Sequence, residues 1–149
     1  MILKLYDFIE TYGFNNHLFI EIIKNQMIAI YNQLSCCKEL SNEDFLDIVK
    51  NQTIFISIDD SLNVQGCITL IIERKMIHNG EYVGHIEDVV VDEIYRSLKI
   101  GKQLMKHVIA YAKEKQCYKV ILNCNDNVEG FYKKLGFTCK NKEMSLYFH

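Results

Sequence analysis

From residue 82 onward the hydrophobic pattern of this chain switches period repeatedly, and that alternation constrains the fold more than any other feature. Tyr82–Val91 is an apolar run of strand length. Residues 100–115 then take helical spacing, with Ile100, Leu104, Val108 and Tyr111 on one face and Met105, Ile109 and Ala112 beside it. Tyr118–Cys124 returns to a strand pattern. Val128–Leu135 reads as a short helix that Asn127 or Asp126 would cap and Gly136 would end. Glu143–Phe148 reads as a last strand, with Met144, Leu146 and Phe148 alternating on one face. Strands alternating with helices predict a mixed α/β sheet with parallel neighbours.

The first half of the chain supplies the other strands. Residues 16–34 carry Leu18, Ile22, Ile23, Met27, Ile30 and Leu34 near a 3.6-residue spacing, which predicts a helix. Ser41 followed by Asp44 is a capping box with the shorter acid and starts a second helix through about Lys50. Thr53–Ile58 and Cys67–Arg74 are β-rich runs separated by the turn-like Asp59-Asp60-Ser61. Asn79-Gly80 is a hairpin signal, so Ile68–Ile77 and Tyr82–Val91 should pair antiparallel. With 149 residues, no repeat, no linker and no low-complexity tract, residues 1–149 are expected to form one domain.

Composition narrows the function classes. Seventeen basic against nineteen acidic residues give a net charge of −2, which argues against nucleic acid or anionic membrane as partners. No stretch approaches the roughly 20 apolar residues of a membrane span, and Asp7 and Glu10 come too early for a signal peptide. The expected location is the cytoplasm. The six cysteines form no C-x-x-C pair, so neither zinc nor any other metal is expected, and without a secretory signal no disulfides are expected. Cys67 and Cys124 border apolar runs and are expected to be buried. Only two of the basic residues are arginines, Arg74 and Arg96.

Three segments could carry chemistry. Arg96-Ser97-Leu98-Lys99-Ile100-Gly101-Lys102 leads into the helix at 100–115. A helix start offers unpaired N–H groups and the positive end of the macrodipole, so a phosphate docks there readily. A solvated basic helix start would look the same. In His85-Ile86-Glu87-Asp88-Val89-Val90-Val91 two carboxylates interrupt an apolar strand, and on a regular strand they point to opposite faces. One of them must then face a packed side or a cleft, unless the strand end is solvated. Asn123 follows an apolar strand and Tyr132 lies in the helix after it, either as a core aromatic or as a proton donor aimed at the strand end.

The order strand, Arg-x-x-x-x-Gly loop, helix, strand, Asn, Phe131-Tyr132, Gly136-Phe137 resembles the GCN5-related N-acetyltransferase (GNAT) superfamily. Within it, Glu73-Arg74-Lys75-Met76-Ile77-His78 and Gly84-His85-Ile86-Glu87-Asp88 resemble the glucosamine-6-phosphate N-acetyltransferase family, over residues 68–146. The resemblance implies a single α/β domain with a mixed, mostly antiparallel central sheet, flanking helices and a splayed parallel strand pair. It implies transfer of the acetyl group of acetyl-CoA to the amine of D-glucosamine 6-phosphate, on the way to UDP-N-acetylglucosamine, by a homodimer whose C-terminal strands complete the partner's site. It further implies that the backbone of Val89, Val90 and Val91 binds the pantetheine arm, and that Arg96, Ser97, Leu98, Lys99, Ile100, Gly101 and Lys102 hold the pyrophosphate. Ser35, Arg74, Lys75, Met76, Ile77, His78, Glu87, Asp88 and Asn123 would form the sugar-phosphate site. Tyr132 would contact the cofactor and give a proton to the departing thiolate.

The chain departs from the family pattern at four places. Lys99 stands where Gly is common, Asn123 replaces an acid, Asn127-Val128 is one residue out of spacing to Tyr132, and Tyr147 replaces an arginine. The chemistry needs a neutral amine, an oxyanion stabiliser and a proton. Glu87 or Asp88 can orient the amine and draw off its proton, and the Val89 N–H, freed at a strand distortion, can face the oxyanion. Two alternatives keep the fold: an acetyltransferase of another small amine or a peptide, and a non-catalytic CoA-binding domain. Arg74-Lys75 beside Glu87-Asp88 favours an anionic amino sugar over the first. Retention of both acids and Tyr132 argues against the second.

Overall fold

The structure is a computed structural model that describes residues 1–37 and 39–148. Its elements in chain order are β1 (Ile2–Lys4), α1 (Leu5–Tyr12), α2 (His17–Tyr31), α3 (Asn42–Asn51), β2 (Thr53–Ile58), β3 (Val64–Arg74), β4 (Tyr82–Val91), α4 (Ile100–Glu114), β5 (Cys117–Ile121) and α5 (Asp126–Lys133). The strands form one sheet in the order β1-β2-β3-β4-β5. All neighbours are antiparallel except β4 and β5, which the α4 crossover makes parallel. Among the described residues no helix is long and apolar enough to cross a membrane.

Helices cover both faces of the sheet, which is why β2 reads as an almost continuous apolar run. On one face, Leu5, Phe8 and Ile9 of α1, Ile20, Ile23, Met27 and Ile30 of α2, and Phe45 and Val49 of α3 pack on Ile54, Ile56, Ile58, Cys67 and Val90. On the other, Ile100, Leu104, Met105, Val108 and Ala112 of α4 pack on Phe55, Ile68, Leu70 and Ile86. Each fully buried side chain of the Leu104 kind contributes about 1.5–3 kcal/mol. The capping box forms as expected, with the Asp44 N–H donating to Ser41 Oγ at 3.0 Å and the Ser41 hydroxyl to Asp44 Oδ2 at 2.6 Å. The 78–80 turn joins β3 to β4, and Gly136, at φ +93°, follows α5.

Several expectations are corrected. The buried stripe of α2 is Ile20, Ile23, Met27 and Ile30, while Leu18, Ile22 and Leu34 are exposed. The short β1 and α1 were not assigned by the sequence pattern. β5 stops at Ile121, three residues before Cys124, which is therefore exposed, whereas Cys67 is buried as expected. The N-cap of α5 is Asn125, in extended conformation and without a side-chain cap bond, not Asp126 or Asn127. Glu143–Phe148 is not a strand: the chain offers it no partner, and Met144, Leu146, Tyr147 and Phe148 are 94%, 78%, 85% and 87% exposed.

Candidate active site

The geometry of the site starts in β4. The β3–β4 register pairs Thr69 with Glu87 but Cys67 with Val90, so Ile68 faces both Asp88 and Val89. This is a β-bulge, and Asp88 takes up the extra residue at φ 50°. A left-handed φ is tolerated by Asp better than by most side chains. Gly66, opposite Val91, makes the close approach possible, because a Cβ there would lie 2.8 Å from the Val90 carbonyl oxygen. The bulge also corrects the expectation for the two acids. Ile86 and Val89 both pack on the α4 side, while Val90 packs on the α2 side. Glu87, next to Ile86 on a regular stretch, points away from α4, and Asp88 lines a cleft on the α2 side. The slip in alternation thus turns both carboxylates to one side of the sheet. Among the described residues neither makes a hydrogen bond or ion pair through its side chain.

That cleft has a volume of about 330 Å³ and lies between the C-terminal end of α2, α3 and strands β2–β4. Met27, Phe45, Ile48 and Ile54 give it apolar walls, Tyr31, Thr69 and Asp88 polar groups, and Ser35, Cys36 and Cys37 a rim. The Tyr31 hydroxyl lies beside the side chains of Cys67 and Thr69. Burial, and then the neighbouring Cys67, push its pKa far above the usual phenol range. Burial likewise pushes the Cys67 thiol up to about 12, so both groups are neutral at pH 7. Tyr31 and Thr69 were not found in the sequence. Tyr31 follows Met27 at helical spacing and so joins the apolar stripe, where only its hydroxyl marks it.

β5 pairs with β4 only as far as His85↔Ile121, while β4 runs on to Val91. Among the described residues no strand pairs with that β4 edge from Glu87 to Val91, which leaves backbone groups open to a ligand, apart from the Val91 carbonyl that accepts from Arg96. Beyond this opening stand Asn123, exposed, and Tyr132, half-buried. The Tyr132 ring packs edge-on against Phe131 and Phe137, at 5.1 and 6.0 Å between centroids. Burial, with a smaller contribution from nearby Cys124, raises its pKa, so the hydroxyl holds its proton at neutral pH.

The loop after β4 makes a 3₁₀ helix, Glu93–Leu98, that Asp92 caps by accepting from the Ile94 N–H at 3.2 Å. Lys99 then takes φ 59°, ψ 22° as the N-cap of α4. This left-handed turn gives a physical reason for a glycine at the matching position. The first helical bond runs from Gln103 N–H to Lys99 O at 3.1 Å, so the N–H groups of Ile100, Gly101 and Lys102 are the unpaired first-turn donors. Ser97, Leu98, Lys99 and Lys102 are exposed around them. Arg96 turns back, its Nε donating to Val91 O at 3.3 Å and its Nη2 to Gln33 Oε1 at 3.4 Å.

Arg74, Lys75, Met76, Ile77 and His78 lie elsewhere. They occupy the β3–β4 hairpin, about 17 Å along the strands from the Thr69↔Glu87 pair at 3.4 Å per residue, and none lines the Asp88 cleft. Arg74 Nε donates to Gly80 O at 3.2 Å, and its guanidinium stands over the Tyr82 ring. Lys75 Nζ and His85 Nε2 each lie 2.7 Å from the Glu73 carboxylate. The bond from Lys75, then that from His85, holds the Glu73 carboxyl below its ordinary pKa. His78 lies against Tyr118, 4.7 Å between ring centroids, and Met76 and Ile77 are exposed. The structure thus groups Ser35 with Asp88, and Val89–Val91 with the 96–102 loop, but holds the hairpin residues apart from both within one chain.

Residues 21–137 match the model of the acetyltransferase (GNAT) family. The chain is similar to the probable glucosamine 6-phosphate N-acetyltransferase 2 of Oryza sativa subsp. japonica, with 34% identity over 133 residues, 81% of this chain and 79% of the relative. It is similar at 34% identity, over 80% of this chain and 85% of the relative, to the glucosamine 6-phosphate N-acetyltransferase of Candida albicans. The crystal structure of the Arabidopsis thaliana glucosamine-6-phosphate N-acetyltransferase superposes with a TM-score of 0.83 at 27% identity, covering 100% of this chain and 98% of that one.

Proposed function

The chain belongs to the GNAT acetyltransferase family, and on that premise we propose that it is a glucosamine-phosphate N-acetyltransferase, moving the acetyl group of acetyl-CoA to the amine of D-glucosamine 6-phosphate. The observation that carries the reading is the bulge at Asp88. It turns Asp88 into the Ser35 cleft, with Glu87 on the same side of the sheet, beside a stretch of β4 edge that no described strand pairs. A thioester held along that free edge would meet an amine held in the cleft.

In this reading the β4 backbone at Val89, Val90 and Val91 aligns the pantetheine arm, and the first-turn N–H groups of α4 with Lys99 and Lys102 receive the pyrophosphate. Arg96 sets the loop through Val91 and Gln33. Asp88 or Glu87 takes the amine proton, the nitrogen attacks the thioester carbon, and the Val89 N–H faces the developing oxyanion. The carbon–sulfur bond breaks, and Tyr132, which keeps its proton, protonates the thiolate. Asn123 stands at the mouth of the splay. The product is N-acetyl-D-glucosamine 6-phosphate, a precursor of UDP-N-acetylglucosamine.

Arg74, Lys75 and His78 enter the reading through assembly. Held away from the cleft of their own chain, they are available to the sugar phosphate in a homodimer. Ile71, Tyr118 and Ile121 on the sheet, and Met144, Leu146 and Phe148 in the tail, are apolar and exposed, as an unpaired interface would be. Six free cysteines fit a cytoplasmic protein.

A thiol-release assay across a panel of amines tests the substrate. Turnover with glucosamine 6-phosphate should far exceed that with glucosamine, and equal rates would remove the phosphate site. Light scattering at micromolar concentration tests the assembly. A mass of twice 17.5 kDa is expected, and 17.5 kDa itself would overturn the dimer.

A further inference from the structure

Two consecutive amides just past the end of α2 hold opposite sides of the site. Asn32 closes a two-way pairing with the backbone of Cys37: its Nδ2 donates to Cys37 O at 2.7 Å, and its Oδ1 accepts from Cys37 N–H at 2.9 Å. The loop so closed carries Ser35 and Cys36, the rim of the cleft. Gln33 reaches the other way, to a segment about sixty residues on. Its Oε1 accepts from the Glu93 N–H at 2.9 Å and from Arg96 Nη2 at 3.4 Å, and its Nε2 donates to Asp92 Oδ1 at 3.4 Å. It thereby satisfies an orphan N–H at the start of the 3₁₀ helix that leads to Lys99 and the first turn of α4.

Both amides ride on the same rigid body. α2 is anchored in the core by Ile23, Met27 and Ile30, and Leu34 and Ser35 continue its last turn by donating to Tyr31 O, each at 2.9 Å. Residues 92–96 and the rim at Ser35–Cys37 are therefore fastened to one short stretch of backbone, so that a ligand which orders the one favours the ordered form of the other. Surface amides that serve only solubility would not converge on three groups of a distant loop.

We infer that Gln33 is a positioning residue that couples the 92–102 loop to the shape of the amine cleft, so that a nucleotide pyrophosphate bound at the start of α4 tightens binding of the amino-sugar phosphate, and the reverse. The inference rests on the proposed function for the identity of the two ligands. Coupling of this kind is reciprocal and commonly amounts to a factor of about five or more.

The test is calorimetric titration of the full chain with CoA and with glucosamine 6-phosphate, each in the absence and presence of the other. In the parent each ligand should tighten the other about fivefold, by equal factors. Gln33→Ala should bring that factor to about one and weaken CoA on its own. Asn32→Ala should also bring it to about one while leaving CoA affinity unchanged, because the Gln33 contacts remain. A purely structural role would lower both affinities without altering their ratio. If both variants keep the parent's factor, or the parent's factor is one, the coupling is wrong while the functional reading stands. If the parent binds neither ligand, the functional reading falls and the coupling with it. Thermal melting is the check on folding: Gln33→Ala and Asn32→Ala should each melt close to the parent.

Discussion

Strand β4 has two halves with different surroundings. Tyr82–His85 pairs with β3 in unbroken register on one edge and with β5, which carries an extra residue at Tyr118, on the other. Glu87–Val91 keeps its β3 partner but has no β5 beside it, and is broken by a left-handed residue. The paired half buries its backbone in the ladder and has nothing to offer a ligand. The half-paired one spends regularity to aim two carboxylates and a row of peptide groups at open space. In the proposed reading chemistry lies where pairing stops, and the paired half holds that opening in place.

The sharpest break of this contrast is Asp88→Asn. Asn tolerates the same left-handed backbone, so the bulge should persist while the carboxylate is lost. With glucosamine 6-phosphate, kcat/KM should fall about 100-fold, some 2.7 kcal/mol of transition-state stabilisation, with an unchanged melting temperature. A fall under about threefold would shift the base to Glu87. Second in size is a pair of glycine substitutions, one in each half. A Cβ on Gly66 meets the Val90 carbonyl at 2.8 Å, backbone against backbone, and should cost about 2–3 kcal/mol in urea denaturation. On Gly84 it meets Val120 Cγ1 at 3.0 Å and Leu70 Cδ1 at 3.1 Å, side chains that can give, so about 1 kcal/mol is expected there. Equal losses would mean the bulged half is no stiffer than the paired one. Among the changes in rate, the smaller belongs to the wall across the opening. Tyr132→Phe should lower the single-turnover rate about 10-fold, or 1.4 kcal/mol, with KM for acetyl-CoA unchanged. Since the Tyr132 pKa is raised, its hydroxyl should cause no alkaline loss of rate below about pH 10. An unchanged single-turnover rate would leave Tyr132 as a packing residue.

The same division governs what could be read from the residues. Elements whose stability is local were legible: the Ser41–Asp44 cap, the stripe of α4 from Ile100 to Ala112, the hairpin at Asn79-Gly80 and the strand at Tyr82–Val91. A strand distortion freeing the Val89 N–H was expected, but not the residue that makes it, since Asp88 looks like any strand acid. The available signal was Gly66, an isolated glycine in a strand pattern. β1 is too short for its side chains to show a period, and its place is set by pairing with Phe55–Ser57 far along the chain. The 143–148 alternation was legible as a pattern, but a pattern needs a partner, and one chain does not supply it. Of the site, the loop and the Glu87–Asp88 pair could be found from sequence. Tyr31, Thr69 and Gln33 could not, because their roles come from contacts between elements distant in sequence.

The sheet runs β1-β2-β3-β4-β5, the same order as the chain, and that has a consequence for how the molecule is made. Each strand pairs with the next one along, so no step has to close a loop across a strand already laid down, and the closure entropy is set by the length of each connection, longest where β1 reaches β2 at Ile2↔Ser57. The β3–β4 hairpin, closed by the 78–80 turn, is the least expensive junction to form. The parallel β4–β5 contact has to wait until α4 has spanned the gap. The opening at Glu87–Val91 is thus bounded by the sheet's most local junction on one side and by a junction that depends on α4 on the other. With no proline anywhere in the chain, no slow X–Pro isomerisation stands between them.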